Sequence, residues 1–176
     1  MNREKNYIAN KELTKPVEGY ITRQTDERIA KAAYGRLGNP TSRVGCAVVA
    51  VYNVMLRLGK PQPYADVVRD CERLGLPWLF GALGTKPRKL GRYFRLHGVA
   101  FGRIRKADAF KAALNDCSAA IVCTWNSKIT NGIHFYAVLK ENGRLMSANQ
   151  HYSNGLLDFD TSCIRNDRFI VGYVFR

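Results

Sequence analysis

The sequence predicts an α+β domain in which helices near the N-terminus pack on an antiparallel sheet formed near the C-terminus. Two observations indicate this class: apolar residues recur at helical spacing up to residue 117, and short β-type runs separated by turn residues follow. The chain of 176 residues has the length of one ordinary domain. A core of this size can form without disulfide or metal staples.

Residues 1–36 are assigned to an N-terminal arm followed by a short helix, and residues 37–176 to the main domain. The first 24 residues are polar and have no apolar period, which favours an extended arm. Thr25 or Asp26 is expected to cap a short helix that runs through Arg36.

Four further helices are expected before the strands. The segment AVVAVYNVMLRLG, which follows Cys46, is apolar almost all round and predicts a helix buried inside the domain. A second helix opens at Gln62-Pro63, and a third follows Thr85, its expected N-cap, with Leu90, Tyr93, Phe94 and His97 on one face. The fourth lies near residues 107–116.

The pattern of the chain changes after residue 117. The runs SAAIVCTW, GIHFYAVL, RLMSAN and RFIVGYVF are short, apolar and rich in β-formers, which predicts strands. The turn Glu141-Asn142-Gly143 predicts an antiparallel hairpin that joins the strand of His134 to the strand of Asn149.

Three residues form a candidate catalytic group. Cys46 lies at the first turn of the most apolar helix, where the helix dipole is expected to favour the thiolate and lower the pKa of the thiol. His134 is a candidate base on a strand, and His151, after the next strand, is a weaker rival. Asn149 lies where its side chain can orient the imidazole of His134. A lone cysteine at the head of a buried helix is more often a core residue. The prediction of a catalytic role therefore depends on Cys46, His134 and Asn149 occurring together.

The segment from Cys46 to Asn154 resembles the papain-like cysteine peptidases related to the double-glycine leader (bacteriocin-processing) peptidases, and is most similar to small stand-alone bacterial members. The motifs are GCAVVAVYN, GTKPRKLGRYFRLHG and GIHFYAVLKENGRLMSANQHYSN. The resemblance implies a papain-like fold with Cys46 as nucleophile, His134 as general base and Asn149 as orienter. Leader peptidases usually have Asp in place of that asparagine.

The oxyanion hole differs from the family pattern. The family has a Gln a few residues before its cysteine, and no Gln stands there in this sequence. Asn39 is the nearest amide and therefore the first candidate, and Ser42 is the next. One such donor is worth about 10²–10³ in rate.

The function expected from these residues is a cysteine peptidase, amidase or acyltransferase that forms a thioester on Cys46 and needs no cofactor. The partner is then a peptide or amide substrate. Two alternatives stay open: a papain-like domain that has lost catalysis and serves as a binding module, and a basic nucleic-acid-binding protein.

The alternative of a nucleic-acid-binding protein rests on the positive charge of the chain. There are 28 Lys and Arg against 14 Asp and Glu, a formal net charge of +14, and no acidic residue occurs between Arg73 and Ala107. Arg88, Arg92 and Arg95 are predicted to share one helical face. Such a face is expected to give at most weak, nonspecific association with nucleic acid.

The sequence is expected to belong to a cytoplasmic protein without a membrane segment. No apolar stretch resembles a signal peptide or approaches the ~20 residues that span a bilayer. The five cysteines, an odd number, favour reduced thiols. The three histidines lack zinc-type spacing, so a metal site is not expected.

Overall fold

The computed structural model describes residues 3–126, 132–150 and 154–176. Its α-helices are α1 (Arg3–Leu13), α2 (Thr41–Val44), α3 (Cys46–Arg57), α4 (Tyr64–Arg73), α5 (Gly91–Leu96) and α6 (Ala107–Ala113). Its strands are β1 (Ala33–Tyr34), β2 (Asn39–Pro40), β3 (Gly102–Ile104), β4 (Ala119–Trp125), β5 (Ile133–Glu141), β6 (Arg144–Ala148), β7 (Leu157–Asp158) and β8 (Phe169–Phe175). The predicted α+β class, with helices packed on an antiparallel sheet, is confirmed.

The described part of the chain forms one large antiparallel sheet, with strand order β3-β8-β4-β5-β6-β7. The predicted hairpin joins β5 to β6, with Glu141 paired to Arg144. Its two turn residues, Asn142 and Gly143, both have positive φ, 49° and 80°. Asparagine and glycine adopt this conformation at the lowest cost, which is why the Asn-Gly signal was informative.

Helix α3 packs its full length against the sheet, as its sequence predicts. All its residues from Cys46 to Met55 are buried, and it contacts β4 and β5. Only Asn53 interrupts its apolar surface within that span. Burial on all sides fixes the helix by nondirectional apolar packing and places its first residue, Cys46, at one end of β5.

The opposite face of the sheet is covered by α6. The ring of Phe110 packs directly on Gly172 of β8, where a Cβ atom would lie 2.2 Å from the ring. A glycine is therefore required at this point of β8 because the helix approaches the strand backbone too closely for any side chain.

The helices after α3 also follow the prediction, with one correction. Helices α4, α5 and α6 lie where they are expected. Thr85 does not cap α5, because a 3₁₀ turn over residues 87–89 comes first and the Thr85 hydroxyl instead forms a buried 2.8 Å hydrogen bond with the Tyr34 hydroxyl.

The first 36 residues differ from the expected arm and short helix. Residues 3–13 form α1, and residues 25–36 contain turns and β1 instead of a helix. The Asp26 carboxylate accepts the backbone N–H and the guanidinium of Arg28, which closes a local turn. Gly35, with φ of 77°, then helps to turn the chain so that β1 pairs with β2.

Polar side chains bind α1 to the rest of the molecule. Asn10 donates to the carbonyl and accepts from the N–H of Ala33, and Asn6 donates to the carbonyl of Gly35. A polar helix held by asparagines has no apolar period, so no helical signal is present in this part of the sequence. The boundary at residue 36 stays a prediction. Tyr34 and Ile29, which precede it, are fully buried in the same core as α3.

No helix among residues 3–126, 132–150 and 154–176 combines the length and apolar character that crossing a membrane requires.

Candidate active site

Cys46 is the first residue of α3 and follows Gly45, which joins it to α2. A Cβ atom at Gly45 would lie 2.5 Å from the Thr41 side chain and 2.8 Å from the Thr41 carbonyl oxygen. Only glycine fits this junction, so it fixes the position at which α3 begins. The backbone N–H groups of the first turn of a helix have no acceptor within the helix, so that of Cys46 can bind a substrate oxygen.

Burial is the largest influence on the pKa of the Cys46 thiol. Burial raises the pKa of Cys46 to about 11, although nearby backbone N–H groups of Phe135, Ala47 and Cys46 itself act in the opposite direction. This direction is opposite to the lowering that the sequence led us to expect. The resting thiol is therefore neutral at physiological pH.

His134 lies at the start of β5, and its ring is held by a main-chain oxygen. The Nε2 atom is 2.5 Å from the carbonyl oxygen of Asn149. A carbonyl oxygen can only accept, so Nε2 carries the proton and Nδ1 has the free lone pair of a base. Burial lowers the pKa of His134, which keeps the imidazole neutral and able to accept a proton.

The Cys46 thiol and the Asn149 side chain both approach Phe135 of β5, the residue that follows His134. The Phe135 N–H acts on the Cys46 sulfur, and the Phe135 carbonyl oxygen lies 3.4 Å from the Asn149 side-chain nitrogen. Because the N–H and C=O of one strand residue point to the same edge, the sulfur lies on the edge that faces Asn149. His134, the preceding residue, reaches Asn149 from the same strand. Among the described residues, no hydrogen bond joins the Cys46 thiol to the His134 imidazole. Catalytic hydrogen bonds of this kind often form or shorten only when substrate binds.

The Asn149 side chain has a different role from the one expected. Its Oδ1 accepts the backbone N–H of Gln24, and its backbone N–H donates to the carbonyl of Thr22, each at 2.8 Å. The carbonyl of Asn149 makes the contact with His134 that the sequence analysis assigned to the side chain. Its φ of 64° turns that carbonyl toward the ring, a conformation that asparagine tolerates better than most residues.

Residues 17–24, which we call the strap, connect this site to the N-terminal region. Asn53 of α3 donates to the carbonyl of Ile21 and accepts its N–H, both at 2.8 Å and fully buried. The Tyr20 hydroxyl donates to Glu141. The strap is thus bound to α3 on one side and to Asn149 on the other.

Gln24 is a site residue that sequence reasoning missed. Its side-chain nitrogen donates to the carbonyl of Ser42 at 2.8 Å, four residues before Cys46, and its side-chain oxygen is buried without a hydrogen-bond partner among the described residues. Asn39, the predicted oxyanion donor, lies in β2 and is paired with Tyr34. In the described part of the chain, its side chain makes no hydrogen bond to the segment before Cys46. Gln24 stands 22 residues before Cys46 in the sequence, so no local motif could have shown that its side chain lies near the segment before Cys46.

A cleft of about 460 Å³ opens at Cys46. Trp78 and Trp125 line it, together with Ile133 and the backbone of Gly132. Trp78 is carried by a loop closed by a β-bridge between Pro77 and Thr85. An apolar cleft with a thiol at its floor suits an extended peptide with small residues at the reacting bond.

The remaining candidates lie elsewhere. Arg92 donates to the carbonyl of Leu74, whereas Arg88 and Arg95 line a separate cavity, so the three arginines do not form the single face that was predicted. His151 lies outside the described residues. Among the described residues, no group of three or more His, Cys, Asp and Glu side chains is arranged to hold a metal ion.

The fold and the site together define a papain-like α+β domain, with a thiol at the start of a buried helix and an imidazole on the neighbouring strand. Structural comparison finds solved proteins with this fold, including two peptidases. One is the peptidase domain of Streptococcus ComA, a bifunctional ABC transporter of a quorum-sensing pathway, with a TM-score of 0.53 and 14% identity over 73% of this chain and 88% of that chain.

The second is a double glycine motif protease from an AMS/PCAT transporter, solved in complex with the leader peptide. It matches with a TM-score of 0.51 and 15% identity over 74% of this chain and 82% of that chain. No protein-family model and no curated protein matches the sequence. At these identities the comparison establishes the fold, and it confirms the papain-like architecture implied by the sequence motifs.

Proposed function

We propose that the protein is a cysteine peptidase that cleaves an amide bond through a Cys46 thioester. The observation that carries the proposal is that Phe135 contacts the Cys46 sulfur and the Asn149 side chain, while the Asn149 carbonyl holds the ring of His134, the residue before Phe135. A thiol at the start of a helix and an oriented neutral imidazole on the strand packed against that helix are the two groups that nucleophilic acyl transfer requires.

In the proposed reaction, Nδ1 of His134 accepts the thiol proton as the sulfur attacks the carbonyl carbon. The new oxyanion binds the backbone N–H of Cys46. The C–N bond then breaks, the imidazolium gives its proton to the leaving amine, and a thioester remains on Cys46. Water, activated by His134, hydrolyses the thioester and restores the thiol. A neutral resting pair requires that proton transfer accompanies attack.

The oxyanion hole needs a second donor, and two amides are candidates. Asn39 remains the candidate named by sequence position. We favour Gln24, because its amide nitrogen is held at the Ser42 carbonyl, one turn before the nucleophile. Gln24 would then be the side-chain donor of the oxyanion hole, a role that in the family belongs to a glutamine shortly before the cysteine.

The substrate class follows from the cleft and the structural neighbours. Both neighbours are peptidase domains, and one is described as a double glycine motif protease in complex with its leader peptide. We propose that this chain also cleaves a peptide after two glycines, because Trp78 and Trp125 border the approach to Cys46 and favour residues without side chains there. All five cysteines are free thiols, which supports a reducing, cytoplasmic location.

The test is cleavage of a peptide that contains one Gly-Gly site, followed by mass spectrometry of the products. We expect one product that ends in Gly-Gly, with no cleavage by Cys46→Ala. Cys163→Ala is the matched control, because it removes an exposed thiol and should keep full activity. Cleavage that survives Cys46→Ala, or intact peptide after long incubation with the unmodified protein, would refute the proposal.

A further inference from the structure

A second cavity lies beside the cleft and is lined by three arginines. Arg88, Arg95 and Arg103 surround about 680 Å³ together with Phe101. The guanidinium groups come from three elements: the 3₁₀ turn over residues 87–89, helix α5 and strand β3. No ion pair joins any of these arginines to a carboxylate among residues 3–126, 132–150 and 154–176. We call this cavity the arginine pocket.

The arginine pocket is built from residues that hold each other in place. The Arg95 guanidinium lies over the Phe101 ring at 5.6 Å from its centre, and Arg103 donates to the carbonyl of Arg88 at 3.2 Å. The charges of Arg95 and Arg103 also act on one hydroxyl, that of Tyr173, where they oppose the increase in pKa that burial causes. The charges of Arg95 and Arg103 therefore lie near the same hydroxyl, and Arg103 also contacts the backbone of Arg88.

Shared lining residues link the arginine pocket to the cleft at Cys46. An intermediate pocket shares Trp78, Trp125 and Ile133 with the cleft at Cys46. The same intermediate pocket includes Arg88, which also lines the arginine pocket. Ile170 and Pro87 also line this intermediate pocket. A single extended ligand can thus pass from Cys46 across an apolar surface to three guanidinium groups.

We infer that the arginine pocket binds an acidic segment of the peptide substrate, separated from the cleaved bond by an apolar segment. This inference rests on the proposed peptidase function and adds a specificity determinant to it. Guanidinium groups bind carboxylates through two parallel hydrogen bonds, and these three have no carboxylate of their own in the described part of the chain. The net charge of +14 would also accelerate the approach of an acidic substrate.

The surroundings of the pocket favour a peptide over a nucleic acid. Binding of single strands commonly uses aromatic faces on which bases stack. Phe101 already packs against Phe94, Tyr173, Phe175 and the Arg95 guanidinium. The adjoining cleft also contains the Cys46 thiol, which is proposed to attack amide bonds. A ligand that occupies both the cleft and the arginine pocket would therefore be a peptide.

The experiment compares two fluorescein-labelled peptides that share an apolar block and a Gly-Gly site. One carries four glutamates beyond the apolar block, and the other carries four glutamines there; both orders of the blocks are made. Binding to the inactive Cys46→Ala protein is measured by fluorescence anisotropy. We expect the glutamate peptide to bind about tenfold more tightly in one order.

The arginine pocket is then removed by Arg88→Gln, Arg95→Gln and Arg103→Gln together. This protein should bind the two peptides equally. The charge-matched control is Arg92→Gln, Arg105→Gln and Lys106→Gln, from the same basic stretch but outside the pocket, and it should keep most of the preference. Equal loss in both proteins would show that only net charge matters and would overturn the inference. Stronger competition by a single-stranded DNA or by inorganic phosphate than by the glutamate peptide would also overturn it.

Protection of Cys46 tests whether the groove is continuous. The full glutamate peptide should slow alkylation of Cys46 in the unmodified protein, whereas four glutamates without the apolar block should not. Failure of the peptidase proposal would appear as no cleavage of either peptide. Failure of this inference would appear as equal cleavage of both peptides, so the two outcomes are distinguishable.

Discussion

The two sides of the proposed catalytic pair are held in place by different forces. Cys46 is fixed by α3, whose first ten residues are buried in an almost entirely apolar environment. His134 is fixed by one directed contact to the Asn149 carbonyl, and Asn149 in turn is bound to the strap by hydrogen bonds. Apolar packing tolerates many sequences, whereas each directed hydrogen bond depends on one geometry.

This difference implies that changes on the two sides have different consequences. Substitutions around α3 should mainly change stability, because packing contacts are numerous and individually weak. Substitutions on the histidine side should change the rate with smaller effects on stability, because they move or release a single ring. The strap belongs to both sides, since it contacts Asn53 of α3 and also Asn149.

The largest effect is expected at His134. His134→Ala should lower kcat by about 10³-fold, because the general base is lost. Asn149→Ala should lower kcat less than about tenfold, because the carbonyl that orients the ring remains, and Asn149→Gly should cost less still, because glycine adopts φ of 64° without strain. Rates with the Gly-Gly peptide measure this order. A loss in Asn149→Gly as large as that in His134→Ala would show that the side chain orients the ring.

The strap should have the next largest effect. Asn53→Ala removes both partners of the buried Ile21 backbone and should reduce the free energy of unfolding by about 2–4 kcal/mol. Chemical denaturation measures the change. Asn115→Ala, at an exposed position, is the matched control and should be neutral within about 0.5 kcal/mol. Unchanged stability in Asn53→Ala would mean that the strap is not bound in solution.

The two oxyanion candidates can be separated by a paired substitution. Gln24→Ala should lower kcat by about 10²-fold without a matching change in KM, since an oxyanion donor acts mainly in the transition state. Asn39→Ala should leave kcat unchanged, because Asn39 pairs with Tyr34 in β2, whereas Gln24 donates to the Ser42 carbonyl one turn before Cys46. The reverse result would restore the assignment made from sequence position.

The last prediction concerns the pH dependence of the Cys46 thiol. The pKa of Cys46 is raised to about 11, so the thiolate fraction should increase about tenfold per pH unit throughout the neutral range. Alkylation of Cys46 by iodoacetamide, measured by peptide mass spectrometry, should increase about 100-fold between pH 7 and pH 9. At pH 6 the exposed Cys163 should react first. A plateau in the Cys46 rate below pH 7 would indicate a preformed thiolate.

The sequence predicted those elements whose signals are local and periodic. The apolar α3, the Asn-Gly turn of the β5–β6 hairpin and the main strands each carry such a signal. Helix α1 has none, because asparagines rather than an apolar stripe hold it. The strap, which includes Gln24, reaches Asn149 through a contact between residues 125 positions apart, and the Asn149 carbonyl belongs to the backbone, so no residue pattern could reveal either. The direction of the Cys46 pKa was missed because burial outweighs the effect of the nearby backbone N–H groups.

The most direct test of the account is a covalent label that requires both Cys46 and His134. A short peptidyl fluoromethyl ketone that ends in Gly-Gly is incubated with the protein, and the adduct is located by peptide mass spectrometry. We expect a single adduct on Cys46 that forms about 10²-fold more slowly in His134→Ala and at an unchanged rate in Cys163→Ala. An adduct on Cys163, or an equal rate at Cys46 without His134, would contradict the account.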